Sequence, residues 1–106
     1  MPKFLLEASL NAQGVKGVRS EGGTARREAV KTAVESVGGE LEAFYFAFGE
    51  RDVYVLADLP DNESAAAMAL AVNSAGPVAT RTVVLLTPEE VDAAANRSVD
   101  YRQPGG

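Results

Sequence analysis

The side chains of this sequence with the most evident capacity for chemistry are a carboxylate, a phenol and a guanidinium. Glu7 lies in the first apolar stretch of the chain, Tyr54 in the third and Arg81 in the fourth. Gathered on one surface, these groups could bind an anionic or phenolic small molecule through charge and hydrogen bonds. They could also form a cross-strand ion pair covered by a second subunit, and we favour this structural interpretation.

Asp52 and Asn11 are two further polar candidates for the same ligand-binding set. Asp52 would act as a general base only if it were buried. We favour the alternative, in which it is a turn residue that accepts backbone hydrogen bonds. Asn11 directly follows the first apolar stretch. The pattern identifies no catalytic residue, and whether the protein is an enzyme stays open.

Cysteine and histidine are absent from the chain. Without cysteine there is no disulfide, no thiolate nucleophile and no thiolate metal ligand. Without histidine there is no Ser-His-Asp triad, no histidine general base and no histidine-ligated zinc or haem. Only scattered carboxylates remain as metal ligands, so we expect neither a metal site nor a cofactor.

Charge and hydropathy narrow the choice of partner. The chain has 15 acidic and 10 basic residues and a net charge of -5, which disfavours a nucleic-acid partner. Its apolar runs have the length of strands, so we expect no membrane partner. The first six residues reach Glu7 too early to form a signal peptide, and we expect a cytoplasmic protein.

Half of the basic residues fall between positions 16 and 31: Lys16, Arg19, Arg26, Arg27 and Lys31. Together with nearby glycines they could form a phosphate site. The glycine spacing matches no phosphate-binding motif, however, and Glu21 and Glu28 dilute the charge. We therefore interpret this stretch as a solvated helix face.

The positions of apolar residues predict the elements that must hold these side chains. Alternation predicts strands, spacing of three to four residues predicts helices, and Thr24, Asp61 and Thr87 are expected N-caps. Thr87 to Glu90 has the spacing of a capping box. The predicted strands are 3–10, 41–48, 52–59 and 78–86, and the predicted helices are 25–37, 64–74 and 88–97, with a short helical turn at 15–19.

This order is β-α-β-β-α-β with an added C-terminal helix, an α+β fold of the ferredoxin-like, split βαβ kind. It predicts one antiparallel four-stranded sheet with the two main helices on one face. The first and fourth strands are then neighbours, so Glu7 should lie opposite Arg81, with Tyr54 on the other side of Glu7. We expect a single domain over residues 1–100 and a flexible tail over 101–106.

Six short motifs stand in order between Pro2 and Glu90: Gln13-Gly14, Val37-Gly38-Gly39, Phe44-Tyr45, Gly49-Glu50-Arg51-Asp52-Val53, Pro60-Asp61 and Thr80-Arg81-Thr82. Their order and spacing resemble those of the GYD domain family. The resemblance implies a small bacterial or archaeal protein with a ferredoxin-like fold of the dimeric α/β-barrel type. Arg51 stands where the family typically has an aromatic residue, and Asn11 where threonine is usual. The resemblance implies a fold and not a reaction.

Three functions are compatible with these features. The first is a non-catalytic homo-oligomeric domain that binds a small metabolite on the open face of the sheet. The second is a cofactor-free enzyme of the barrel type, an oxygenase or isomerase acting on an aromatic or polyketide-like substrate. The third is a regulatory or structural subunit of a larger complex. Apolar residues on the face without helices favour the first, because a lone copy would leave them in water.

Overall fold

The computed structural model describes residues 1–106 and contains four strands and four helices. The strands are β1 (Lys3–Leu10), β2 (Glu40–Phe46), β3 (Val53–Asp58) and β4 (Val78–Leu85). The helices are α1 (Ala12–Glu21), α2 (Gly23–Ser36), α3 (Asn62–Ala75) and α4 (Pro88–Ala95). Every predicted strand and helix is present, with boundaries shifted by a few residues.

The four strands form one sheet in the order β2-β3-β1-β4, and all neighbouring pairs are antiparallel. β1 is therefore a central strand with β3 on one side and β4 on the other, as the β-α-β-β-α-β order of elements predicts. The bond pattern between β2 and β3 shifts between Leu41 and Ala43, a bulge-like irregularity that leaves the rest of the pairing in register. The predicted α+β ferredoxin-like fold is confirmed.

Apolar residues that alternate along β1 and β3 build the core on the side of the helices. Phe4, Leu6 and Ala8 are buried in β1, while their neighbours in sequence are only half-buried. Val55 is buried at the corresponding position of β3. α2 packs on β2 and α3 packs on β4, and each adds buried side chains to the same core. Only 11 of the 106 residues are buried, so apolar surface remains accessible on both sides of the sheet.

The first helical region differs from the prediction. In place of a short turn there is a full helix, α1, whose N-cap is Asn11. Gly22 ends α1 with a positive φ of 89°, and its N–H donates to the carbonyl of Val18. α2 begins at the next residue, so the predicted N-cap at Thr24 is wrong. Two glycines within α1 had lowered its predicted helix propensity, but the cap at Asn11 starts the helix nonetheless.

The other two predicted N-caps are confirmed. The carboxylate of Asp61 accepts hydrogen bonds from the hydroxyl and the backbone N–H of Ser64, and these bonds hold the pKa of Asp61 below its ordinary value of 3.8. Thr87 and Glu90 form the complete capping box, each side chain accepting from the backbone N–H of the other. Both helices therefore begin where the sequence places their caps.

The C-terminal segment 86–106 projects from the rest of the molecule. All of its residues are exposed, and α4 makes no extensive contact with another element. The radius of gyration is 16.9 Å, whereas a compact domain of this length has about 13 Å. The long dimension of 57 Å reflects this extension. We call this segment the C-terminal arm.

The close passage of the chain at Gly39 yields a stability prediction. A Cβ at this position would lie 2.5 Å from the carbonyl oxygen of Asp58 and 2.7 Å from Cδ2 of Leu59. We expect Gly39→Ala to lower the free energy of unfolding by about 1–3 kcal/mol, because the backbone must move apart. Urea unfolding followed by circular dichroism measures this change.

Gly49→Ala is the matched control, because a Cβ there meets no atom within 4 Å. Its effect should stay within about 0.5 kcal/mol. Equal unfolding midpoints for the two variants would contradict the close approach at Gly39.

Candidate functional site

The open face of the sheet, opposite α2 and α3, carries a row of polar side chains that crosses all four strands. Glu7 of β1 lies directly opposite Tyr54 of β3 and directly opposite Arg81 of β4. Tyr54 in turn lies opposite Tyr45 of β2. Directly opposite residues point to the same side of a sheet, so these four side chains form one line. We call it the polar row.

The four members of the polar row have no side-chain hydrogen bond to the rest of the chain. The charged groups of Glu7 and Arg81 do not approach within the 4.0 Å of an ion pair, although their strands are in register. Glu7 and Tyr54 are half-buried, while Arg81 and Tyr45 are exposed. A carboxylate, a guanidinium and two phenols are thus free to bind something outside this chain.

Tyr45 was missed by sequence reasoning. The aromatic run from Phe44 to Phe48 could line a hydrophobic ligand cavity, but it is more typical of core plus subunit interface, and neither interpretation separates Tyr45 from its neighbours. In the structure Phe44 and Phe46 face the helices and pack edge to face, whereas Tyr45 is 69% exposed on the opposite side. Strand alternation could have identified Tyr45, because it places Tyr45 on the opposite face from Phe44 and Phe46, and pairing of the two strands then brings it opposite Tyr54.

An apolar row lies on the same face as the polar row, two residues further along each strand. Its members face each other in register: Ala43 of β2, Leu56 of β3, Leu5 of β1 and Val83 of β4. The first three are half-buried by their neighbours, and Val83 is 37% exposed. The open face therefore combines a continuous apolar strip with a strip of polar groups that have no partner.

The far end of the open face is charged but internally paired. Lys3 Nζ donates to Glu42 Oε2 at 2.6 Å and to Asp58 Oδ1 at 2.9 Å. These hydrogen bonds, the one to Glu42 foremost, raise the pKa of Lys3 above its ordinary value of 10.5. Lys3 already has two acceptors, which distinguishes this end from the polar row.

Asp52 has a structural role at the start of β3. Its Oδ2 accepts a hydrogen bond from the backbone N–H of Leu10 at 2.8 Å. Its own N–H donates to the carbonyl of Ala8, and its carbonyl accepts from the N–H of Ala47. One residue thus ties the ends of β1, β2 and β3 together, and its carboxylate is already engaged in that contact.

Asn11 is likewise engaged, at the beginning of α1. Its Oδ1 accepts from the N–H of Gly14 at 3.0 Å, and its Nδ2 donates to the carbonyl of Gly76 at 3.3 Å. The backbone N–H of Asn11 donates to the carbonyl of Pro77. Asn11 thereby joins the end of β1 to the segment that enters β4. The structure brings Glu7, Tyr54 and Arg81 together and gives Asp52 and Asn11 separate backbone partners.

Acidic side chains do not gather into a metal-binding arrangement, since no three of them come together in a suitable group. The basic residues of positions 16–31 lie on α1 and α2, on the helix side of the sheet. Two of them have acidic neighbours, Arg26 with Glu21 at 3.8 Å and Arg27 with Glu28 at 3.4 Å. None belongs to the open face.

The contacts of Asp52 lead to a test of its role. Asp52→Ala leaves the N–H of Leu10 without an acceptor, and we expect a loss of about 1–3 kcal/mol in the free energy of unfolding. Asp52→Asn retains an acceptor oxygen and should lose clearly less. Urea unfolding measures both values, and hydrogen exchange at the Leu10 amide should speed up in the alanine variant alone. If asparagine and alanine were equally destabilising, the hydrogen bond to Leu10 would not be the reason that Asp52 matters.

None of the helices has the length and apolar character needed to cross a membrane.

Comparison with known proteins identifies the family of the chain. No curated protein and no solved structure matches the chain significantly. The GYD domain family model matches residues 4–95, from the first strand to the end of α4, in agreement with the motifs described above. Because this match covers most of the 106 residues, the chain belongs to the GYD domain family.

Proposed function

We propose that this protein is a non-catalytic homodimeric domain whose open sheet faces cover each other and hold a small anionic or phenolic ligand at the polar row. The observation that carries the proposal is the pairing of two adjacent strips on one face. The apolar row favours burial, and the polar row supplies groups that have no partner within the chain.

The apolar row supports self-association on energetic grounds. Each Å² of apolar surface removed from water contributes roughly 25 cal/mol, and Leu5, Leu56 and Val83 lie side by side on this face. A second copy presents the same strip, and a twofold axis is the commonest way to bury one surface against itself. The proposal therefore needs no partner other than the chain itself.

Covering the face changes the chemistry of the polar row. Arg81 and Glu7 then lose water, and an isolated buried charge costs more than a paired one. Their strands place them opposite each other, so a change of side-chain rotamer can bring the two charged groups together. The hydroxyls of Tyr54 and Tyr45 lie on the other side of Glu7 and can donate to a ligand oxygen.

The two alternative functions are distinguished by what the protein holds. The barrel-type enzyme uses the same polar row but turns over its ligand, so the bound molecule changes with time. The subunit of a larger complex presents the open face to a different protein and holds no small molecule. Native mass spectrometry of the purified protein, with identification of any bound compound, separates these cases. A dimer that retains an unchanged small molecule supports the proposal.

The apolar row predicts a variant that separates the subunits. Leu56→Glu places a charge at the centre of the covered face, so we expect a monomer in sedimentation velocity at micromolar concentration, where the unaltered protein is a dimer. Leu70→Glu is the control, because Leu70 is 73% exposed on α3, on the other side of the sheet. It should stay dimeric. A stable monomer for the unaltered protein would overturn the proposal.

The polar row predicts a coupling between Glu7 and Arg81 that depends on the dimer. In a double-mutant cycle of Glu7→Gln and Arg81→Leu, we expect a coupling energy of about 0.5–3 kcal/mol in the free energy of unfolding of the dimer, measured by urea unfolding. The same cycle in the Leu56→Glu background should give a value near zero, because the two groups do not touch in a single chain. Equal coupling in both backgrounds would show that the pair forms without the second subunit.

A further inference from the structure

The helix side of the sheet contains a cleft that the polar row does not explain. α2 packs mainly on β2 and α3 mainly on β4, with no extensive contact between the two helices. The gap between them opens over the central strands β1 and β3. It encloses about 100 Å³ and reaches the side chains of the core. We call it the helix cleft.

The helix cleft is apolar with two polar exceptions. Leu6 and Val55 form its floor, and Val30 and Met68 contribute from the two helices. Of its 14 lining residues 12 are hydrophobic, and the two others are Arg26 of α2 and Thr80 of β4. A pocket of this composition binds an apolar body and fixes its orientation through the few polar groups.

The small residues of α2 are the reason that the cleft is not filled by the protein. Ala29 and Ala33 face it where larger apolar side chains would close the gap between the helices. Val30 is only partly buried beside them. The space is therefore a consequence of the side chains present and not of a missing element.

Arg26 is suited to bind a carboxylate at this cleft. Its nearest acidic atom is Oε1 of Glu21 at 3.8 Å, which is too long for a hydrogen bond, and its side chain is 37% exposed. The guanidinium thus keeps its donors free for a bidentate contact. Thr80 accepts from Asn73 Nδ2 at 2.9 Å, which leaves its own hydroxyl proton available to a second acceptor.

The charge distribution of the molecule also favours an anion on this side. Residues 12–36, which form α1 and α2, include five basic and three acidic residues, a net charge of +2. The rest of the chain has five basic and twelve acidic residues, a net charge of -7. A small anion is therefore attracted to the wall of the cleft that α2 forms.

We propose that the helix cleft binds a small monocarboxylate, with its apolar body between α2 and α3 and its carboxylate on Arg26. The volume sets the size of the apolar part. At about 100 Å³ the helix cleft is smaller than the engineered cavity of about 150 Å³ that holds benzene, so it accommodates a short aliphatic chain better than a ring. This site is on the opposite side of the sheet from the polar row and does not depend on the dimer.

Titration with hexanoate and with 1-hexanol, followed by amide and methyl NMR, tests the proposal. Hexanoate should shift the signals of Ala33, Val55 and Met68 in a saturable manner. Arg26→Gln should weaken hexanoate binding by about tenfold, because the charged hydrogen bonds are lost. Hexanol binding should change little in that variant. Arg27→Gln is the matched control, since Arg27 is the adjacent basic residue and lies outside the cleft.

Three results would overturn the proposal: no saturable shift at the cleft, equal loss of hexanoate binding in Arg26→Gln and Arg27→Gln, or shifts confined to the open face. Ala29→Val provides a second approach, because it narrows the cleft with a small increase in volume and should weaken both probes together. The Leu56→Glu monomer should bind hexanoate as the unaltered protein does. The experiments thus distinguish the case in which the proposed dimer is absent from the case in which the helix cleft binds no carboxylate.

Discussion

The pairing of β1 with a strand on each side is the interaction on which the rest of the molecule depends. Because β3 and β4 both run antiparallel to β1, one register determines which residues share a row. That register places Phe4 and Leu6 beneath the helices and Glu7 between Tyr54 and Arg81. A slip by one residue would exchange the two faces and remove both the core and the polar row.

The two faces of this sheet are completed to different degrees. The helix side has a core of ten residues, but α2 and α3 stand apart and leave the helix cleft between them. The open side has no covering element in the chain. Asp52 and Asn11 stabilise the sheet itself, because their side chains bind backbone groups at the end where β1 finishes and β3 and β4 begin. The polar side chains of Asp52 and Asn11 thus stabilise the fold, whereas those of Glu7, Tyr54 and Arg81 form no hydrogen bond within the chain.

Much of the fold could be predicted from the sequence, because it depends on local patterns. Alternation in β1 and β3, the capping box at Thr87 and the cap at Asp61 each act within a few residues, and the family motifs supplied the same order of elements. The location of Glu7 opposite Arg81 followed from the order and direction of strands. These features required no knowledge of how helices sit on the sheet.

Most of the remaining features depend on contacts distant in sequence, such as that of Asp52 with a residue 42 positions away. α1 is the exception, because its cap at Asn11 is local and was underestimated against the two glycines of the helix. Tyr45 separates from its aromatic neighbours only when β2 pairs with β3. The helix cleft arises from the small side chains of Ala29 and Ala33 together with the separation of α2 and α3, and that separation is not encoded in any spacing of apolar residues. Arg26 therefore looked like one more member of a solvated charged face.

The location of β4 at the edge of the sheet gives Arg81 a second effect. Edge strands present unpaired N–H and C=O groups that can add another chain and start an aggregate. β4 reads Val-Ala-Thr-Arg-Thr-Val-Val-Leu, a segment of high β propensity in which Arg81 is the sole charge. The other edge, β2, contains Glu40 and Glu42 instead. A guanidinium in the middle of the exposed edge thus opposes the stacking of chains edge to edge, and the solubility of the free subunit depends on the same side chain as its polar row.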